Sequence, residues 1–462
     1  MGYLFLGLLL AVLGIGRCAD DIGYFWHVTD FHYDHTYATS KLSCNEEVPA
    51  LQTFGDYWCD ATWALVTDSV KSMARIKHDV DFLIWTGDTV AHIADKDLSL
   101  ELNLEILQNI TDLLNTSFVG APVYASLGNH DFYPNGQANY TEDEFYRSID
   151  DMWRDWIIKT VGNKEENYFV KEGGYYSVIV RPGLRLLALN TNMYYTTDKL
   201  TANMTDPTDQ FKWMKQQLQS AKDKGEKVFV TGHVPPGLFF PGYSDWFYPH
   251  FKKSFMDIIH NYSDIIVATH YGHDHADSFK ILQDEKGERA VTQFNAPSVT
   301  PWRYKLPTKT REAHNPGIRL VKYNRDTGVN LDYTQYFINI TDANRENKSN
   351  WAELYSFTTA YDVPDMSVSS LRKIFENLKA DHKSKYYQRF CNYWVVSQLD
   401  MKCTEEMKAD ILCGGLNYNL AQANSCSVDR INSLNPLSTD VSKVTPSHRY
   451  SQQGADNAHL HE

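Results

Sequence analysis

Five short clusters of oxygen and nitrogen donors are strung along the chain: Asp30-Phe-His32, Gly87-Asp88, Gly128-Asn-His-Asp131, Gly232-His233 and Gly272-His-Asp-His275. Carboxylate, imidazole and carboxamide donors without thiolate suit Zn²⁺, Mn²⁺ or Fe²⁺ and do not discriminate among them. Asp30 and His32 are two residues apart, so an extended segment turns both to one side, and His273 and His275 repeat that spacing. Asp88, a carboxylate just after a glycine, has the chemistry to bridge two cations about 4 Å apart. Two such cations activate water and neutralise phosphoryl oxygens, so the set predicts a two-metal phosphoester hydrolase. Each cluster alone is weak evidence, because a lone D-x-H or G-D at a strand end is more often a cap or a turn. The ordered set of five carries the weight.

Donors scattered from position 30 to position 275 must be brought together by the fold. Each cluster closes an apolar or β-branched run, with strands expected at 24–30, 81–86, 122–127, 175–180, 184–190, 227–231, 265–269, 290–295 and 318–323. Amphipathic stretches at 62–77, 98–114, 143–159, 209–221 and 250–260 read as helices. The alternation predicts an α/β architecture, whose active sites lie where strands end and loops begin. After about residue 350 the pattern turns helical (369–380, 383–391, 405–412) and four cysteines appear. The expected organisation is a catalytic domain over 19–350, a disulfide-stapled helical C-terminal subdomain over 351–438 and a polar tail over 439–462.

Composition sets the partners. A net charge of −14 disfavours nucleic-acid polymers and anionic membranes. Residues 1–18 read as a signal peptide, an apolar run too short for a bilayer span and ending in small residues, although no Lys or Arg precedes it. No integral membrane anchor is expected beyond it. Seven N-x-S/T sequons, at Asn109, Asn115, Asn139, Asn203, Asn261, Asn339 and Asn347, predict N-glycans on a secreted or lysosomal protein. Six cysteines remain after Cys18, and an even number in an exported chain predicts three disulfides among 15 connectivities. Nearness in sequence favours Cys44–Cys59, Cys391–Cys403 and Cys413–Cys426.

The series D-x-H, G-D, G-N-H-D, G-H and G-H-x-H resembles the calcineurin-like metallophosphoesterases. Phe25-Trp-His-Val-Thr-Asp-Phe-His32, Trp85-Thr-Gly-Asp88, Leu127-Gly-Asn-His-Asp131, His233-Val-Pro235 and Tyr271-Gly-His273 are more specifically similar to the acid sphingomyelinase-like phosphodiesterases. So are Asn190-Thr-Asn-Met-Tyr-Tyr195, Asn295-Ala-Pro-Ser-Val-Thr-Pro301 and Asn315-Pro-Gly-Ile-Arg319, which extends the resemblance over nearly the whole chain. It implies a two-sheet β-sandwich flanked by helices and two divalent metal ions, usually zinc. It also implies Asp30, His32, Asp88 and His275 around the first metal and Asp88, Asn129, His233 and His273 around the second. His130 would protonate the leaving oxygen after in-line attack by a hydroxide that the metals share. His92 would hold the substrate phosphate or share the proton transfer. Iron-dependent purple phosphatases in the wider family carry a tyrosine where this chain has Ala91, so a redox iron site is not expected.

The remaining histidines invite plainer readings. His27 is expected in the core or behind the ligands, His270 in either a supporting or a structural role, and His78, His250, His314, His459 and His461 on the surface. Asp131 and Asp274 are expected to orient their neighbours. The aromatic stretch 238–248 is as much a packing loop as a cleft wall near His233. Acid sphingomyelinase itself carries a lipid-extracting saposin domain, and few residues separate the leader from Asp30 here. Soluble nucleotide-like substrates, such as nucleoside triphosphates and CDP-choline, are therefore expected. Sphingomyelin-type lipids are the alternative substrate and a non-catalytic extracellular binding protein the alternative role.

Overall fold

The computed structural model describes residues 21–44, 48, 51–140, 143–158, 168–169, 173–240, 243–303, 313–379, 384–396 and 405–434. The expected leader, the polar tail, Cys403, His459 and His461 lie outside them.

Two twisted sheets form the body. In the first, β1 (Ile22–Val28), β2 (Phe82–Trp85) and β3 (Val123–Ala125) run parallel, linked by helices α1 (Trp63–Ile76) and α2 (Leu100–Ser117). From β1 the sheet continues antiparallel through β13 (Gly317–Asn324), β14 (Asn330–Phe337) and β15 (Ala352–Ser356). The second sheet has the order β4-β5-β6-β7-β8-β10-β9: Tyr168–Phe169, Tyr175–Arg181, Leu184–Ala188, Lys227–Thr231, Ile266–Tyr271, Ala290–Asn295 and Ser278–Gln283. Helices Gln210–Asp223 and Pro249–Asn261 carry the chain from β6 to β7 and from β7 to β8. Parallel strands covered on both faces need continuous apolar sequence, and Phe82-Leu-Ile-Trp85 is buried at every position. The crossover helices start at side-chain caps: Thr62 accepts from the Leu65 N–H and Ser99 from the Leu102 N–H.

The sheets meet through aromatic rings. Phe25 on β1 stacks on Phe82 at 4.7 Å and reaches Phe229 on β7 at 5.8 Å and His270 on β8 at 5.5 Å. The Tyr176 hydroxyl donates to the Ala125 carbonyl at 2.8 Å, tying β5 to β3. A buried polar knot also spans the layers. Arg319 donates to Asp277 at 2.6 Å, and the hydroxyls of Tyr333 and Tyr355 donate to the same carboxylate. Satisfied on every side, such a network fixes one arrangement of the sheets.

Several elements escaped the sequence pattern. β9 contains Lys280, a charge that masks a strand, yet it is buried and ion-paired with Asp274 at 3.1 Å. β15 is an edge strand whose one fully buried residue is Tyr355, too little for a period-two signal. Because β15 pairs with β14, the chain just beyond residue 350 hydrogen-bonds into the first sheet. Helices Val368–Leu378, Lys385–Trp394, Glu405–Leu416 and Leu420–Leu434 follow, and Phe279 on β9 packs against Phe375 and Phe390. The last of the four, rich in serine and asparagine, was not expected as a helix. Disulfides join Cys44 to Cys59 and Cys413 to Cys426; Cys391 is also disulfide-bonded. No helix among the described residues is long and apolar enough to cross a membrane.

Candidate metal centre

All five clusters lie at the C-terminal ends of parallel strands: β1, β2 and β3 in one sheet, β7 and β8 in the other. Packing the sheets face to face brings the five ends to one place. Asp30, His32, Asp88, His273 and His275 all have positive φ, between 39° and 66°. That left-handed conformation is costly for residues with a Cβ, and it persists where surrounding structure imposes it. The concentration of strain on five residues of one cluster marks the place where the fold serves function. Glycine fits beside them because space is short. A Cβ on Gly128 would collide with the Asp88 carboxylate, and one on Gly272 with Thr29 Oγ1 and Asp30.

The first group is Asp30, His32, Asp88 and His275, whose donor atoms lie within 4.8 Å of one another. His32 Nε2 is 3.1 Å from His275 Nε2, 3.3 Å from Asp88 Oδ2 and 3.7 Å from Asp30 Oδ1. Asp88, His233 and His273 make the second group. Asn129 completes it, with Oδ1 at 3.0 Å from His233 Nε2 and 2.9 Å from His273 Nδ1. Asp88 belongs to both groups through a single oxygen, since Oδ2 is also 3.1 Å from His233 Nε2.

Tautomers follow from the outer contacts. His32 Nδ1 lies 2.8 Å from the Val90 carbonyl and His233 Nδ1 lies 2.6 Å from the Thr86 carbonyl. A carbonyl only accepts, so both Nδ1 atoms carry a proton, which leaves Nε2 as the nitrogen that faces the carboxylates and is available to a metal. The charge balance asks for cations. Burial would push Asp88 up, but His233 and His32 outweigh it and hold the carboxyl well below the usual range. Asp30 is likewise lowered, by His275 and His32 against its burial. Burial alone would lower His233, yet Asp88 raises it to about 9. Among the described residues the ion-pair partners of Asp30 and Asp88 are histidines. Buried carboxylates converging with imidazole lone pairs and a carboxamide oxygen fit a pair of divalent cations.

His130 and His92 stand beside the groups. The His130 backbone N–H donates to Asp88 Oδ1 at 2.8 Å, while its ring lies 4.3 Å from His92 and 5.1 Å from His32. Burial, then the nearby His92, holds the His130 imidazole neutral. His92 stacks on His32 at 4.1 Å and sits 4.6 Å from Trp302. Its backbone N–H and its Nδ1 both face Asp60, at 2.6 Å and 3.0 Å. Asp60 was missed by sequence reading. Its one nearby signal is the preceding cysteine.

The supporting residues are clear in the structure. Asp131 accepts from the backbone N–H of Asp88, Thr89 and Gly128, fixing both loops, as expected of an orienting residue. Asp274 accepts from Trp246, Lys280 and Asn295, and the Trp246 ring thereby stands edge-on to His273 at 4.7 Å. Trp246 thus walls the site beside His273, while Phe240 turns away to Phe390. The segment after β10 clamps both sheets: Val299 and Thr300 N–H donate to the Thr29 and Asp30 carbonyls, and Ser298 N–H to that of His275. His27 and His270 belong to the inter-sheet core, their rings 5.2 Å apart. His78 and His250 are exposed. His314, expected on the surface, is fully buried against Trp394, on a strand β12 (Ala313–His314) that pairs with β11 (Trp302–Arg303). Nothing in its flanking sequence carries a strand period.

Comparison with known proteins agrees with this geometry. Residues 23–277 match the calcineurin-like phosphoesterase family, and residues 288–432 match the acid sphingomyelin phosphodiesterase C-terminal region. The acid sphingomyelinase-like phosphodiesterase 3b of Homo sapiens is 34% identical over 90% of this chain and 93% of its own. This chain belongs to the acid sphingomyelinase-like phosphodiesterases. The cyclic GMP-AMP phosphodiesterase SMPDL3A of Bos taurus is 35% identical, covering 91% of this chain and 93% of its own. The sphingomyelinase phosphodiesterase C of Dictyostelium discoideum is 32% identical, covering 85% and 89%. As an acid sphingomyelinase-like phosphodiesterase, the chain is a metal-dependent phosphodiesterase with a dinuclear metal site in its sandwich.

Proposed function

We propose that this phosphodiesterase is secreted or lysosomal and hydrolyses phosphodiester and phosphoanhydride bonds of soluble, nucleotide-like substrates. The observation that carries the site reading is the shared oxygen: Asp88 Oδ2 lies within 3.3 Å of both His32 and His233. In this reading Asp30, His32, Asp88 and His275 hold one metal, most simply Zn²⁺, and Asp88, Asn129, His233 and His273 hold the other. Such a pair supplies a hydrolytic nucleophile near neutral pH and positive charge for the phosphoryl oxygens. His130, neutral at rest, takes up a proton when a phosphate anion sits against it and passes that proton to the leaving oxygen. His92 holds the same phosphate or shares the proton transfer. Trp246 and Trp302 flank the cluster against His273 and His275.

The substrate class is supported by the bovine relative, named for a cyclic dinucleotide. Export is supported by the disulfides, which persist in oxidising compartments, and by sequon exposure. Asn109, Asn115, Asn203, Asn261 and Asn347 are exposed, and Asn139 and Asn339 half-buried. Metal-replete protein incubated with ATP, CDP-choline, cyclic GMP-AMP, bis(p-nitrophenyl) phosphate and sphingomyelin micelles from acidic to neutral pH tests the substrate class. Turnover of the soluble nucleotides is expected. Hydrolysis of the micelles alone overturns it.

A further inference from the structure

Asp60 sits in none of the five clusters, yet it is 1% exposed and faces the site. Its carboxylate accepts the His92 backbone N–H at 2.6 Å and lies 3.0 and 3.1 Å from His92 Nδ1, with Thr300 Oγ1 at 3.2 Å. A carboxylate held by a backbone N–H and a hydroxyl is an acceptor, so it commits the Nδ1 proton of the ring and leaves Nε2 as the working nitrogen. The rings of His32, His130 and Trp302, at 4.1, 4.3 and 4.6 Å, leave little room for another orientation.

Asp60 is itself anchored to the backbone of the site. Its N–H donates to Ser43 Oγ at 3.0 Å, and Ser43 donates to Asp34 at 2.8 Å. The next residue closes a bridge onto the D-x-H cluster: Ala61 N–H donates to the His32 carbonyl, and Asp34 N–H to that of Ala61. The residue before it is Cys59, tied to Cys44. The segment that carries Asp60 is thus pinned by a disulfide on one side and by the first ligand loop on the other.

We infer that Asp60 is a positioning residue that acts through His92, fixing the tautomer and direction of its ring against the scissile phosphate. The inference rests on the role given to His92 above. A carboxylate–imidazole pair of this kind holds the ring in one tautomer, and an amide in its place offers an N–H to the nitrogen that should be protonated. Asp60→Asn is isosteric and retains an acceptor for the His92 N–H at the Oδ2 position, so the fold is preserved, while its amide N–H at the Oδ1 position, 3.1 Å from Nδ1, opposes the tautomer that the carboxylate enforces.

The test measures kcat, KM and metal content for Asp60→Asn, Asp60→Glu, His92→Ala and Asp60→Asn/His92→Ala, using a soluble phosphodiester. Both Asp60→Asn and His92→Ala are expected to lower kcat about 10²-fold, with KM within about threefold and metal content unchanged. Asp60→Glu recovers part of the loss, and the double variant falls no further than His92→Ala. Wild-type turnover in His92→Ala removes the reading of His92 and this inference with it. An impaired His92→Ala beside a normal Asp60→Asn overturns the inference alone. So do losses that multiply in the double variant, or loss of metal in Asp60→Asn.

Discussion

His233 Nδ1 lies 2.6 Å from the carbonyl oxygen of Thr86, two residues before Asp88. The end of β2 therefore supplies the shared carboxylate and also aims the imidazole of the other sheet at it. A strand from each sheet is committed to one oxygen, Asp88 Oδ2, and the site exists only when the two sheets are packed.

His130 reaches Asp88 through its backbone N–H, a bond that alanine in its place retains. His130→Ala is expected to lower kcat by about 10²- to 10⁴-fold with both metals retained. The loss should shrink for a p-nitrophenyl ester, whose leaving group departs without a proton. Steady-state kinetics with metal analysis checks this, and unchanged turnover on a poor leaving group would refute the role.

The metal-free protein should show an unusual pH dependence. His233 is raised from 6.5 to about 9, burial opposing and Asp88 prevailing. A raised pKa means the folded state binds the proton more tightly. Its contribution, on the order of 3 kcal/mol for a buried group, is complete below pH 6.5 and lost as pH climbs through about 9. Melting curves of chelator-treated protein should therefore fall in Tm between pH 6.5 and 9.5. Metal-replete protein, whose imidazoles are held unprotonated, should not show that fall.

The Cys44–Cys59 disulfide closes a loop of sequence separation 15 beside Asp60. Replacing both cysteines by serine should cost about 3 kcal/mol of stability. Turnover of the folded fraction should drop as well, because Asp60 loses one of its anchors. Denaturant melts and kinetics on the same preparation separate the two effects, and full activity in the folded variant would argue that the other anchors suffice.

Much of the site was legible in the sequence because strand-end chemistry is local. A proposed ligand that follows closely on its own strand is announced by the apolar run before it, as with Asp30, Asp88 and His233. Asp60 and Trp302 were not legible, since one reaches the site from a loop and the other from the two-residue strand β11, neither with a periodic run in front of it. His314 was misplaced for a related reason: its burial depends on Trp394, 80 positions away. In the fold, the interior parallel strands stood out as continuous apolar runs. The edge strand β15 did not, since pairing with β14 holds it in place, and neither did β9, whose apolar residues are interrupted by the ion-paired Lys280.

The central claim is that Asp88 bridges two metals. Metal content per chain, measured by inductively coupled plasma mass spectrometry on folded, dialysed protein, tests it most directly. The wild type should carry two ions, His233→Ala about one, and Asp88→Ala fewer than either, because the shared oxygen belongs to both groups. A wild type saturating at one ion, or an Asp88→Ala protein that still holds two, would contradict the account.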